Sequence, residues 1–582
     1  MRVLLLHPED PLPGARLGKG WDLVVDLGRA PAVTYERWSK QAQARVVTLY
    51  DFARDREDLQ RVRELLQLGM GQWVDASGID WWDVLSLLIE PDLRQLILIG
   101  RLARELKSGC ELYASRSSAA ATALQALTGA KYIRVEAGFH PIRRWAQHYR
   151  NVFAQLDTAQ ITQIFQDKFD REHQWRRRLV HNRRPPRHPV VLLPSAYVNV
   201  SRTAISYAAL LPSENFLLVY ARNNSRLKTV PSNVSTTSLD PYFVTTDTGE
   251  AAVLAKAWEL LKDRLIAGAE EYSSANANGV LSRIPGLMRW GIAVRDAWRQ
   301  VFESETVVGC LCADDSNPYT RLPLILAKNR GIPTLACHHG AMDSKMAVKL
   351  PHADIYLAKG EIERDYLLRS CGVPAVKVVL GGQGLPSRPD TTKPAAPASQ
   401  PWLVFFTEPY QAAGWRTEEV YGDLLPKLWS LSQTCELKLV FKIHPFESVK
   451  GHRRVLRKYL PEHEPRIGVI AGAPSPQLWR NTCFALTVQS TVALQCAAQG
   501  IPVFLCSWLR DTTSGYLEQF ARFGIGHVLE SAGELSKIPH LLEMKGKTVE
   551  LRPNLWETMD PAKLRDLLLR TTSFSEPIKV QA

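Results

Sequence analysis

Residues 437–445 read LKLVFKIHP, and residues 484–503 read FALTVQSTVALQCAAQGIPV. In the first stretch Leu437–Ile443, apolar but for Lys438 and Lys442, predicts a strand, which Pro445 stops. In the second, Phe484–Val488 predicts a strand and Val492–Gln499 a helix. Gly500-Ile501-Pro502 then ends that helix and opens the next strand. Strands that alternate with helices in this way belong to a parallel sheet with helices on its faces.

The alternation extends in both directions. Trp402–Phe406, Ile467–Ile470 and Pro502–Cys506 read as further strands, with helices at Glu418–Leu431, Ser448–Tyr459 and Pro476–Arg480, and a helical tail closes the chain. Upstream, residues 386–401 read PSRPDTTKPAAPASQP, an aperiodic proline-rich stretch that predicts a hinge. Before it, Val190–Leu193, Phe216–Tyr220, Thr306–Leu311, Thr334–Cys337, Ile355–Leu357 and Val376–Leu380 read as strands. Helices are expected near Arg202–Leu211, Arg321–Lys328 and Glu361–Ser370, and a long helical block fills 251–303. The N-terminal part repeats the theme with strands at Val3–Leu6, Trp21–Leu27, Ala44–Leu49, Glu111–Ala114 and Tyr132–Val135, and helices at Pro91–Leu106 and Ser118–Leu127. The expected organisation is an N-terminal α/β region with a basic helical segment over 1–187, an α/β lobe with a helical insertion over 188–390, and a second α/β lobe over 400–582. The fold class is thus α/β, with two Rossmann-like lobes and a proline-rich hinge.

Composition narrows the function classes. Of the 582 residues, 45% are hydrophobic and 23% charged, which fits large cores and argues against wholesale disorder. Lys and Arg exceed Asp and Glu by 72 to 59, a net charge of +13 that favours anionic partners. Part of the excess sits in 143–187, where ten arginines mix with Trp145, Tyr149 and Trp175. That mixture suits an anionic membrane surface; a solvated helical face leading into the Arg-Arg-Pro-Pro linker is the simpler reading. The nine cysteines stand singly with no C-x-x-C pair, as expected of reduced thiols in a cytoplasmic protein, and no metal site is expected. The N-terminal apolar run is too short for a signal peptide, and no window is long enough for a membrane span. No P-loop and no G-x-G-x-x-G after a strand occurs, which argues against a P-loop kinase and an ordinary NAD enzyme, and no RNA- or DNA-binding module is present.

The chemistry-bearing residues fall at the carboxyl ends of strands, where open α/β sheets bind ligands. Lys442-Ile443-His444-Pro445 offers a cation and an imidazole at a fixed turn. Ser490-Thr491 opens the helix after the Phe484 strand, where a hydroxyl can cap the helix or hold a phosphate. Gln495 lies one turn on, within reach of a ribose hydroxyl. The two motifs are expected to converge on one phosphate, with Lys442, His444, Pro445, Ser490, Thr491 and Gln495 binding a nucleotide.

K-x-H-P followed by S-T-x-A-x-Q-x-x-x-x-G-x-P-V resembles the donor lobe of GT-B glycosyltransferases, nearest the bacterial capsule, sialyl-, Kdo- and teichoic-acid-type transferases. The resemblance covers roughly residues 400–510. It implies that His444, Ser490 and Thr491 hold the donor nucleotide's phosphate. The run GIPTLACHHG at 331–340 and ADIYLAKGEIERDYL at 353–367 is similar to the matching lobe. There His339 or Asp315 would be the base that activates an acceptor hydroxyl, with His338 and Glu408 behind them and His444 assisting. The chain departs from the relatives at Ser316, where a glycine follows the acidic pair, and at Ala341, where a threonine follows His-Gly. Gln383 and Gly381-Gly382 are weaker candidates for contacts across the cleft.

The resemblance implies a metal-independent glycosyltransferase with no cofactor. Its substrates would be a CMP- or UDP-sugar type donor and a surface-polysaccharide or lipid-linked acceptor, and it would work in the cytoplasm or peripherally at the inner membrane. The alternatives are a CDP-glycerol-type polyol-phosphate transferase, a sugar-nucleotide 2-epimerase and a non-catalytic glycan-binding protein. The epimerase is disfavoured because Thr407-Glu408-Pro409-Tyr410 stands where such enzymes carry H-R-x-E-N.

Overall fold

The computed structural model of the chain describes residues 1–8, 10, 20–106, 109–135, 188–222, 225–244, 248–340, 342, 344–384, 400–410, 414–444, 447–460, 464–509, 516–544 and 555–569. The basic stretch 143–187, nearly all of the proline-rich stretch and Pro445 lie outside these residues.

Three parallel sheets carry the fold. The first contains β1 (Arg2–Leu6), β2 (Leu23–Asp26), β3 (Arg45–Thr48), β4 (Glu111–Ala114) and β5 (Lys131–Arg134) in the order β3-β2-β1-β4-β5. The second contains β6 (Val190–Ser195), β7 (Phe216–Tyr220), β8 (Val234–Ser238), β9 (Val307–Cys312), β10 (Thr334–Ala336), β11 (Ile355–Ala358) and β12 (Val378–Leu380). Its order is β12-β11-β10-β9-β6-β7-β8. The third contains β13 (Trp402–Phe406), β14 (Lys438–Lys442), β15 (Ile467–Ile470), β16 (Thr482–Thr487), β17 (Val503–Cys506) and β18 (His527–Leu529) in the order β15-β14-β13-β16-β17-β18. The class is therefore α/β, with Rossmann-like lobes. Central strands such as β6 and β13 are buried at every position, as continuous apolar runs covered on both faces should be.

In each sheet the first strand of the unit lies between its second and its fourth, so the strand order reverses there. The reversals fall between β1 and β4, between β6 and β9, and between β13 and β16. Crevices outside the carboxyl ends at these points are where such sheets take ligands.

The helical insertion between β8 and β9 comprises Thr248–Gly268, Glu270–Ala277 and Ile284–Ser304. It joins the second lobe to the N-terminal unit. Trp258 stacks on Trp82 with centroids 5.9 Å apart, and Trp73 donates its indole N–H to the Leu254 carbonyl at 3.0 Å. Gly69 and Gly291 leave room for the indoles of Trp82 and Trp81, since an added Cβ would come within 2.6 Å of either ring.

Some expectations shift. The helix expected to open at Pro91 begins ten residues earlier, at Trp81, where Asp80 accepts the Trp82 N–H. Pro91 sits inside it. β8 and β18 were not expected: β8 is a polar edge strand, and β18 lies within the supposed helical tail. The end of the chain returns to the second lobe, where Leu564 and Leu568 of helix Pro561–Leu569 are buried in its core. Among the described residues no helix is long and apolar enough to cross a membrane.

Candidate functional site

The reversals of the second and third sheets face each other. Tyr197 follows β6, Asp314 and Asp315 follow β9, and His338-His339-Gly340 follow β10. From the other side come His444 after β14 and Ser490-Thr491 after β16, with β13 between those two strands. The two donor-lobe motifs thus flank β13 and do not occupy adjacent strands. Both reach the same turn of the opposite lobe. A Cβ on Gly340 would lie 3.3 Å from the side chain of Thr491, and the charge of His339 acts on His444. The glycine permits this close apposition of lobes.

On the second lobe, Tyr197 donates its hydroxyl to the Asp314 carboxylate and lies 3.3 Å from His339 Nδ1. His339 Nδ1 is 3.9 Å from Asp314 Oδ2, and its side chain keeps a quarter of its surface exposed. Burial would raise the Asp314 carboxyl, but His338, His339, Lys349 and the Tyr197 hydroxyl hold it well below the usual carboxylate range. His338 accepts the Gly340 N–H on Nδ1 at 3.2 Å. Its pKa is lowered to about 4 by burial, with Lys349 and Lys359 adding to the effect against Asp314. Lys359 secures the turn from beneath, donating to the carbonyls of His338 at 2.6 Å and Gly340 at 2.5 Å. Behind it burial pushes Glu363 up to about 7, a rise that Lys359 limits.

Asp315, a sequence candidate for the base, faces away from this group. It pairs with Lys349, and Arg321 Nη1 stands 3.4 Å from it. Arg321 in turn grips Asp83 of the N-terminal unit at 2.6 Å. All four charges are buried. Asp314, its neighbour, is the carboxylate beside His339.

On the third lobe, the His444 N–H donates to Thr407 Oγ1 at 3.0 Å, which fixes the turn to the end of β13. Burial lowers His444 to about 4; Glu447 opposes this, and Lys442 and His339 add to it. Lys442 is buried, and its ammonium donates to the Ile443 carbonyl at 3.1 Å. Burial and then the charge of Arg202 lower it to about 8. Arg202 lies on helix Val198–Ala208 of the opposite lobe, and burial lowers it too. Among the described residues neither cation has a carboxylate partner. Sequence reasoning missed Arg202, because a helical arginine in an ordinary amphipathic pattern carries no local sign of the lobe it faces.

Ser490 accepts the Val492 N–H at 3.4 Å, whereas Thr491 makes no capping bond and meets Gly340. Gln495 is half-buried one turn into the helix. Glu408 sits beside Tyr410, where burial and then the Glu408 charge raise the phenol. Gly381 and Gly382 hold the returning chain end: Gly382 pairs with Glu557 and Met559 through the backbone, and Gln383 accepts the Trp556 indole N–H. The donor atoms of Asp314, His338 and His339 lie within 4.8 Å of one another. Two imidazoles and a carboxylate suit a zinc-like cation better than magnesium or calcium.

No protein-family model matches the chain, and no curated protein matches it. Solved structures overlap it weakly. UDP-GlcNAc 2-epimerase from Methanocaldococcus jannaschii aligns at 11% identity over 66% of this chain and 99% of its own, with a TM-score of 0.42. The UDP-GlcNAc 2-epimerase of Neisseria meningitidis aligns at 13% identity over 65% and 96%, with a TM-score of 0.37. A spinosyn rhamnosyltransferase aligns at 13% over 66% and 96%, with a TM-score of 0.35. Overlaps of this quality carry no chemistry across.

Proposed function

We propose that the cleft between the second and third sheets binds a nucleotide-activated sugar, and that the chain transfers the sugar to a glycan or lipid-linked hydroxyl. One observation carries the reading. Lys442 and Arg202 come from opposite lobes, face one cleft, and have no carboxylate partner among the described residues. An uncompensated buried charge costs several kcal/mol, so the buried Lys442 beside the half-buried Arg202 calls for an anion. The neighbouring imidazoles of His338 and His444 are neutral near pH 7 and can donate to phosphate oxygens without adding like charge.

The mechanism follows from the placement. His339, oriented by Tyr197 and the ionised Asp314, takes the proton of the acceptor hydroxyl, which attacks the anomeric carbon. The bond from that carbon to the phosphate oxygen breaks, and the electron pair leaves with the nucleotide. Lys442, Arg202 and His444 stabilise the charge that develops there. Ser490 and Thr491 line the same side of the cleft.

A sugar-nucleotide 2-epimerase is the second reading. A base on the lobe opposite Lys442 would equally suit proton abstraction from a sugar carbon. Thermal-shift measurements with CMP, CDP, UDP and GDP test the shared premise. Stabilisation by at least one nucleotide, lost in Lys442→Met, is expected; no shift with any of them defeats both readings. Incubation with the sugar-linked form then separates the two, since transfer releases nucleotide and epimerisation does not.

A further inference from the structure

We infer that the outer face of helix Val449–Tyr459 docks the protein on a membrane surface carrying anionic headgroups. The helix leaves the third sheet just past His444. Ser448 caps it, accepting the Gly451 N–H at 3.2 Å. Its inner face buries His452 and Leu456, with His452 Nε2 2.8 Å from Glu447. Its outer face carries Lys450, Arg453, Arg454, Arg457 and Lys458, all exposed. The spacing i, i+3, i+4, i+7, i+8 puts the five cations on one stripe, about 12 Å long at the helical rise.

Among the described residues four of the five cations are uncompensated. The helix has no acidic residue. Lys458 pairs with Glu418 at 2.8 Å, but both are exposed and the pair is screened. Among the described residues Lys450, Arg453, Arg454 and Arg457 have no carboxylate partner. Four unpaired cations on a convex, rigid helix fit a flat field of negative charge. They do not fit a single-stranded nucleic acid, which needs aromatic faces between the cations for its bases. The one aromatic on the helix, Tyr459, is half-buried and donates its hydroxyl to the Glu418 carbonyl. Docking through this face sets the cleft beside the bilayer, and it stands whatever the cleft binds.

Flotation of the full chain with vesicles tests it. The protein is expected to float with phosphatidylcholine vesicles containing phosphatidylglycerol, to stay behind with phosphatidylcholine alone, and to be released by salt. The variant K450Q/R453Q/R454Q/R457Q should lose binding by about fivefold for each cation removed. Its melting temperature and its response to nucleotides should be unchanged, because these side chains touch neither the core nor the cleft. Should the quadruple variant misfold, Arg454→Glu alone gives the same comparison. Equal flotation of variant and parent, no dependence on phosphatidylglycerol, or tighter retention on single-stranded RNA than on vesicles would each overturn the inference.

Discussion

At the scale of single residues, protonation of Lys442 sets the pH dependence of binding. Burial and Arg202 lower its pKa to about 8, below that of the unfolded chain. A lysine depressed on folding destabilises the fold below its folded pKa, and the penalty fades as pH rises above it. An anion seated between the two cations reverses the shift, so binding takes up a proton. Nucleotide affinity is therefore expected to fall as pH rises through about 8, and calorimetry in buffers of different ionisation enthalpy should show uptake there. Lys442→Met should bind weakly at every pH, with no uptake. His339 makes a separate prediction. His339→Asn should lower turnover about a hundredfold or more, the range of general-base catalysis, while leaving nucleotide stabilisation intact. A variant that turns over normally would return the role of base to another group. Lys442, His444, Ser490 and Thr491 were legible in the sequence because each lies at or within a few residues of the carboxyl end of a readable strand. The choice between Asp314 and Asp315 was not. Adjacent residues point to different sides of the chain, and only the packing of Lys349 and Arg321 decides which carboxylate is sequestered.

At the scale of elements, the legible pieces were those whose own period announces them. Strands such as β6 and β13 are unbroken apolar runs, so they could be read directly. β8, with the sequence VSTTS, is polar because it forms an edge, and no alternation reveals it. The helix from Trp81 hid its start because Asp80 caps it within a tryptophan-rich stretch, while Pro91 offered a more conspicuous but false opening. The Gly381-Gly382 pair is an instructive case. In the sequence it suggests a ligand loop or a turn; in the fold it is a seat for the chain end. Gly381 has φ +159°, and a Cβ there would come within 2.3 Å of Met559. Tyr207 donates its hydroxyl to the Gly381 carbonyl at 3.0 Å from the helix that carries Arg202. Gly381→Ala is expected to cost about 1–3 kcal/mol through this clash and the altered backbone. Urea unfolding should report the loss, and limited proteolysis should cut near residues 555–569 sooner than in the parent. Unchanged proteolysis would mean that the chain end is held elsewhere.

At the scale of the whole molecule, the N-terminal unit braces the cleft. Its own strand reversal, between β1 and β4, is a place where such a sheet would take a ligand. The third lobe packs beside it, against the carboxyl ends of β1 and β2. Arg416 reaches in from the loop after β13 and binds Asp26 at 2.6 Å and the His7 and Pro8 carbonyls at 2.8 and 3.0 Å. Arg29 stacks between Tyr50 and Trp415, at 3.8 and 4.7 Å from the ring centres, and exchanges backbone hydrogen bonds with Gly414 and Arg416. On its other side the same unit grips the second lobe through Asp83, Arg321 and His352. The two lobes are thus joined through a third body as well as by the chain end, which resists free swinging about a hinge. None of this could be read from the sequence, where Asp26 and Arg416 are 390 residues apart in contexts typical of a strand end and a helix start. Removing one partner of a buried ion pair typically costs about 3–5 kcal/mol, because the other charge is left stranded. Arg416→Met should therefore lower the unfolding midpoint clearly, and Asp26→Asn in the same chain should recover part of the loss, the coupling expected of residues in contact. Small-angle scattering separates bracing from plain stability. The free Arg416→Met protein should be more expanded than the parent and should contract further on adding nucleotide. Equal dimensions in the two proteins, with and without nucleotide, would mean that the ion pair only stabilises and does not restrain the lobes.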